Sequence, residues 1–203
     1  MTNLKLKPTL IAAALAILSG GAFPALAVDD GSQATYQAAN MFVFGSPATL
    51  VPGAATLTRT NDGISFRIYT QGLAPGATTV WIIIFNNPEN CVAGGPGVCM
   101  GPDLGNPAVE GSIVYGTGYN VGADGIGNFH GSLADGKPPA GISVNIPAGT
   151  ANGLKNSKKA EVHFVVRSHG PAVAGQAVAQ FSTFEAGCGA CVDVQAVAFP
   201  VVE

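Results

Sequence analysis

The chain has 203 residues, 47% of them hydrophobic and only 10% charged, with a formal net charge of −3. High hydrophobicity with low net charge excludes intrinsic disorder, which needs the reverse balance. The mildly acidic balance excludes nucleic acid as a default partner, because such a partner calls for a basic face.

The chain opens with Lys5 and Lys7, an apolar run at 9–18, and Ala25 and Ala27 as a small-x-small cleavage site. This is the layout of a secretory signal peptide, 1–27. The run is about half the roughly twenty residues that a membrane-spanning helix needs. The mature chain is expected to start at Val28, with seven basic and twelve acidic groups and no membrane span. A chain of that length is most simply one domain, 28–203, and long enough to bury a core. Its expected location is the periplasm or the extracellular space.

Beyond the leader, no window sustains the i, i+3, i+4, i+7 apolar pattern of a helix. Strand signals recur instead, separated by turn residues. A first strand is expected at 36–44. Segments 56–60 and 64–70 flank Asn61, Asp62 and Gly63 and read as a hairpin, since Asn and Asp tolerate the left-handed region and Gly supplies positive φ. Within it Ile64, Phe66 and Ile68 alternate with Ser65, Arg67 and Tyr69, so three apolar side chains face the core and Arg67 faces out. Residues 78–85 form a continuous apolar run, as in a central strand buried on both faces. A long loop at 88–109 follows. Strands at 111–121 and 127–133 are expected to form a hairpin around 122–125. A second long polar loop spans 134–159. The last strands are expected at 160–168, 177–184 and 192–201. The pattern predicts an all-β fold: a single-domain antiparallel β-sandwich of about eight strands with long loops.

Four cysteines in an exported chain read as two disulfides. Local pairs, Cys91–Cys99 and Cys188–Cys191, are expected, because the Gly/Pro-rich segment between the first two can double back. The rival is a cross-link between the two regions. Cys188 and Cys191 have redox-motif spacing, but no helix pattern follows them, and that chemistry needs the first Cys at a helix N-terminus.

A resemblance rests on the segments GLAPG at 72–76, WIIIFNNPENC at 81–91, DLGNP at 103–107, YGTG at 115–118, AEVHFVVRSHGP at 160–171, and Phe184 with Cys188, Cys191 and VQA at 194–196. Together they resemble a group of uncharacterised exported bacterial β-sandwich proteins, over roughly 55–198. The resemblance implies a signal peptide and a β-rich domain, and no activity. The strand-turn-strand pattern is more distantly similar to chordin-type (CHRD) repeats and to the Cu/Zn superoxide dismutase sandwich. The dismutase His-x-His strand is absent, Trp81 and isoleucines standing there, so the likeness carries no copper chemistry.

The histidines are His130, His163 and His169. His163 and His169 share a strand face by their even spacing, yet lie roughly 20 Å apart along an extended strand. A metal ligand sits about 2 Å from its ion, so each would need partners from other strands. Glu161, His163, Arg167 and His169 form a candidate polar site at one strand and its end. Catalysis has little support. There is no G-x-S-x-G elbow, and Ser168 and His169 point to opposite faces as strand neighbours. Glu89, Asp103 and Glu110 share one loop, as turn formers or calcium ligands. Lys155, Lys158 and Lys159 read as a solvated loop cluster. Trp81, Tyr115 and Tyr119 are candidate stacking platforms for a glycan, with Trp81 the most core-like.

These readings converge on an exported, non-enzymatic binding or structural module of the envelope or extracellular space, with no catalytic residue and no cofactor implied. One alternative is a metal-binding protein or metal-dependent enzyme using His130, His163 or His169. Another is a glycan or small-molecule binder.

Overall fold

The computed structural model describes residues 28–29, 34–136, 152–185 and 191–202. The expected leader at 1–27, positions 137–151 of the second long loop, and Cys188 lie outside them. The strands are β1 (Val28–Asp29), β2 (Thr35–Val43), β3 (Ser46–Thr60), β4 (Gly63–Thr70), β5 (Gly76–Phe85), β6 (Gly111–Val121), β7 (Gly127–Ala134), β8 (Glu161–Ser168) and β9 (Val192–Phe199). Eight of them lie on one antiparallel path, β6-β5-β8-β9-β2-β3-β4-β7, and β1 pairs with β2. The two ends of the path approach each other, so the sheet is nearly barrel-shaped.

The β3–β4 hairpin forms where the sequence places it. Thr60 opposes Gly63 across Asn61 and Asp62. Gly63 has φ 147°, and a Cβ there would lie 2.2 Å from the Leu133 carbonyl oxygen. A side chain is therefore excluded on both conformational and steric grounds. The alternation of β4 also holds: Ile64, Phe66 and Ile68 are buried, and Ser65, Arg67 and Tyr69 are exposed.

The core is built from Val80, Ile82 and Ile84 of β5, Val162, Phe164 and Val166 of β8, the β4 residues, and Phe129, Val197 and Phe199. Burying each such side chain fully contributes about 1.5–3 kcal/mol. Phe164 centres the interior, 4.5 Å from Phe66 and 5.8 Å from Phe199 by ring centroid. The opposite face of β5 is also covered. Phe85 packs with Cys91, Cys99, Val109 and Leu104, so loop 86–110 folds onto the sheet. This is the doubly buried central strand that the apolar run implies.

Two expectations change. Segment 177–184 is not a strand: Ala177–Ser182 form a short helix, α1. Its one buried residue is Gln180, whose Oε1 accepts from the Val173 N–H and whose Nε2 donates to the Pro171 and His169 carbonyls. Six residues are too few to display a helical period, so local alternation misleads. Nor do β6 and β7 form a hairpin. β7 pairs with β4 along its whole length, Gly63 opposite Ala134 and Thr70 opposite Gly127, while β6 pairs with β5. The connection at 122–126 crosses between the two ends of the sheet. It is held there by the Leu73 N–H donating to the Gly125 carbonyl at 3.1 Å. Glycines let the ends meet: a Cβ on Gly131 would lie 2.7 Å from the Phe66 ring and 3.2 Å from the Gly116 carbonyl oxygen.

Candidate functional site

The four residues of the expected polar site do not form one cluster. On the outer face of β8, His163 Nε2 lies 2.6 Å from Glu161 Oε1, and the imidazole also meets the Phe85 ring, 5.1 Å between centroids. Further along, the Arg167 guanidinium donates to Asp193 Oδ1 at 2.6 Å and to the Phe184 carbonyl at 2.9 Å. It stacks 4.1 Å above the Phe184 ring. His169, past the strand end, is buried, with Nε2 2.9 Å from Thr79 Oγ1 and Nδ1 3.2 Å from Cys191 Sγ. These are satisfied groups, as buried charged and polar side chains require; the contacts of Arg167 and His169 also lock neighbouring segments, while Glu161 and His163 pair within β8.

His130 stands apart from the other two histidines, on the exposed side of β7. Among the described residues no group of three or more His, Cys, Asp or Glu could hold a metal ion. The loop acids do not converge either. Asp103 accepts backbone N–H groups from Met100 at 2.8 Å, Val92 at 2.9 Å and Ala93 at 3.1 Å. Burial works to raise its pKa, but these three N–H donors outweigh it and hold the carboxyl below its ordinary value. Glu110 pairs with Lys155 at 2.7 Å. The hydrogen bond from Lys155 holds its pKa down, with a smaller contribution from Asn87. Lys155 is thus paired rather than simply solvated.

Cys91–Cys99 is formed, with 5.0 Å between the Cα atoms. No cysteine among the described residues is free. The stacking platforms divide. Trp81 is 1% exposed. Its indole N–H donates to Thr79 Oγ1, and its ring meets Tyr115 and Phe184 edge-on at 5.8 and 4.9 Å. Trp81 is core and cannot stack on a ligand. Tyr115 is half-buried, and that burial raises its pKa. Tyr119 is exposed but rests edge-on against Phe129.

The open surface lies elsewhere, on the outer face of β2, β3, β4 and β7. A cleft of about 680 Å³ is lined there by Tyr36, Thr56, Thr58, Ser65, Arg67, Tyr69, His130 and Ser132 among others. This is within the usual range for ligand sites. Register assembles it. Tyr36 opposes Thr58, which opposes Ser65, which opposes Ser132; in the next row Thr56 opposes Arg67, which opposes His130. Directly opposed side chains on one face stand about 4.5–5.5 Å apart at Cβ. Tyr36 and Tyr69 are 44% and 45% exposed. Gln71 Nε2 donates to the Tyr69 hydroxyl at 2.9 Å and so orients that ring. Arg67 and His130 make no ion pair or hydrogen bond among the described residues. The alternation of β4 and β7 shows these side chains facing out. The sequence does not show the β4–β7 pairing that sets them side by side.

Reasoning from sequence also passed over Arg59. It shares the parity of Ala55 and Leu57 and therefore points inward, which is its one legible signal. Arg59 is 1% exposed and donates to Gln37 Oε1 and to the carbonyls of Ser157, Ala160, Phe199 and Pro200. Burial lowers its pKa to about 10, against a smaller raising effect of Glu161, so the group is a cation at neutral pH.

No protein-family profile, characterised protein or solved structure matches this chain. No helix among the described residues is long and apolar enough to cross a membrane.

Proposed function

We propose that this protein is an exported, non-enzymatic binding module, a flattened barrel with sandwich-like layers that presents the β2–β3–β4–β7 cleft to a ligand. The observation that carries this reading is Arg67. It is a cation in a concave surface with no ion-pair or hydrogen-bond partner among the described residues, whereas Arg59 and Arg167 are both engaged by their surroundings. A cation left free on a rigid sheet is available to a ligand, and rigid presentation lowers the ordering cost of binding. The leader-like segment and the Cys91–Cys99 bridge support export, and a second local pair, Cys188–Cys191, belongs to the same reading. The resemblance to exported bacterial β-sandwich proteins agrees with it.

The test is a thermal-shift panel of glycans, metabolites and divalent metals on the oxidised protein, repeated on Arg67→Ala. A ligand at about 100 times its Kd adds about 2.7 kcal/mol of stability. At this chain length that is roughly 5–10 °C in Tm. The expected result is a shift that Arg67→Ala abolishes while its own unliganded Tm stays unchanged. A shift that Arg67→Ala leaves intact would place the site elsewhere, and a flat panel would count against a small ligand in the cleft.

A further inference from the structure

We infer that the ligand is an acidic oligosaccharide, its carboxylates meeting Arg67 and its sugar rings lying on Tyr36 and Tyr69; this rests on the cleft being the binding site. Charge selects the sign. Arg67 and His130 stand side by side in the cleft lining, and no Asp or Glu is among its described lining residues, in a chain whose net charge is negative. A planar guanidinium also matches a carboxylate with two parallel hydrogen bonds.

Geometry selects the length. Tyr36 lies two strands away from Tyr69 and four residues along, which sheet spacing converts to roughly 16 Å. One sugar ring cannot touch both, so the ligand is an oligomer, with Arg67 reached between its ends. Side-chain chemistry selects the class. The backbone groups of β3 and β4 are consumed by pairing on both edges. A peptide adding as a strand would need a free sheet edge, and the cleft offers only a face. What that face presents is Thr56, Thr58, Ser65 and Ser132, a set of hydroxyls that donate and accept, beside two exposed phenol rings. A polyhydroxylated ligand with flat apolar ring faces fits that array.

The experiment is titration of the oxidised protein with tetragalacturonate, cellotetraose and tetraglutamate, followed by calorimetry and by chemical shifts of the cleft residues. Tetragalacturonate is expected to bind, with cellotetraose weaker by about tenfold or more for want of the charged contact. Arg67→Gln is expected to lose about the same factor for the acidic sugar only. Tyr36→Ala and Tyr69→Ala are each expected to weaken binding about three- to tenfold. All three residues are exposed, so unchanged unliganded melting of the variants separates lost contact from lost fold. Equal binding of the acidic and neutral sugars overturns the acidic assignment and leaves the cleft reading standing, whereas binding indifferent to Arg67→Gln overturns both, because it places the site away from Arg67. Tetraglutamate binding as well as tetragalacturonate overturns the saccharide assignment. Binding of none of the three overturns the inference, and the cleft reading then falls only if the wider panel is flat as well.

Discussion

Asp103 illustrates how one side chain organises a loop. Its carboxylate gathers three N–H groups from both ends of the disulfide loop, fixing segments that have no regular partners. Because its pKa is depressed in the folded state, the stabilisation is present above the ordinary value of 3.8 and is lost as pH falls through the lower folded value. Asp103→Asn is expected to cost about 1–3 kcal/mol near neutral pH, since a neutral amide replaces a charged acceptor. The gap between variant and parent, followed by urea denaturation, is expected to narrow below about pH 4. A gap that stays constant to pH 2 would mean the carboxylate charge contributes nothing. Arg67 is the contrasting residue: it makes no ion pair or hydrogen bond among the described residues, and removing it is expected to leave stability unchanged.

At the scale of elements, α1 is held by tertiary contact rather than by its own sequence. An isolated six-residue helix does not persist in water. Gln180 anchors it from below, and Gly118 on β6 lets it sit down. A Cβ on Gly118 would lie 2.5 Å from the Phe181 carbonyl oxygen and 3.0 Å from its Cβ. Gly118→Val is therefore expected to lift α1 off the sheet and expose the Trp81 ring that Phe184 covers. The check is tryptophan fluorescence: a red shift with iodide quenching in the variant, against a blue, unquenched parent. An unchanged spectrum would show that the helix accommodates the side chain. The disulfide loop is the second such element. Its bridge closes a short loop at a sequence separation of 8, for which chain entropy gives about 2.5 kcal/mol. The loop also packs onto Phe85, so reduction is expected to lower Tm without unfolding the sheet.

Across the whole molecule, Arg59 ties distant parts of the chain together. From β3 it reaches Gln37 on β2, the turn leading into β8 at Ser157 and Ala160, and the end of β9 at Phe199 and Pro200. Burial costs this cation free energy, yet losing it strands several buried acceptors. Arg59→Leu is expected to destabilise by about 3–5 kcal/mol, read as a fall in the urea midpoint. A change below about 1 kcal/mol would mean that water or relaxation satisfies those carbonyls.

The sequence alone determined what depends on neighbours along the chain. Asn61-Asp62-Gly63 specified a hairpin because its turn geometry is local. Alternation specified the faces of β4, and the run at 78–85 specified a strand covered on both sides. A Gly/Pro-rich segment of seven residues specified that Cys91 could reach Cys99. Tertiary structure alone decided what depends on which edges meet. The pairing of β7 with β4 rather than β6 arises from the twist that brings the sheet ends together over Gly116 and Gly131, and no local pattern encodes it. That pairing sets His130 against Arg67 and so creates the cleft. Arg167 and His169 are drawn apart by the same cause, since their partners, Asp193 and Phe184 for the one and Thr79 and Cys191 for the other, come from segments whose positions only the folded sheet defines, whereas Glu161 and His163 pair with each other along β8.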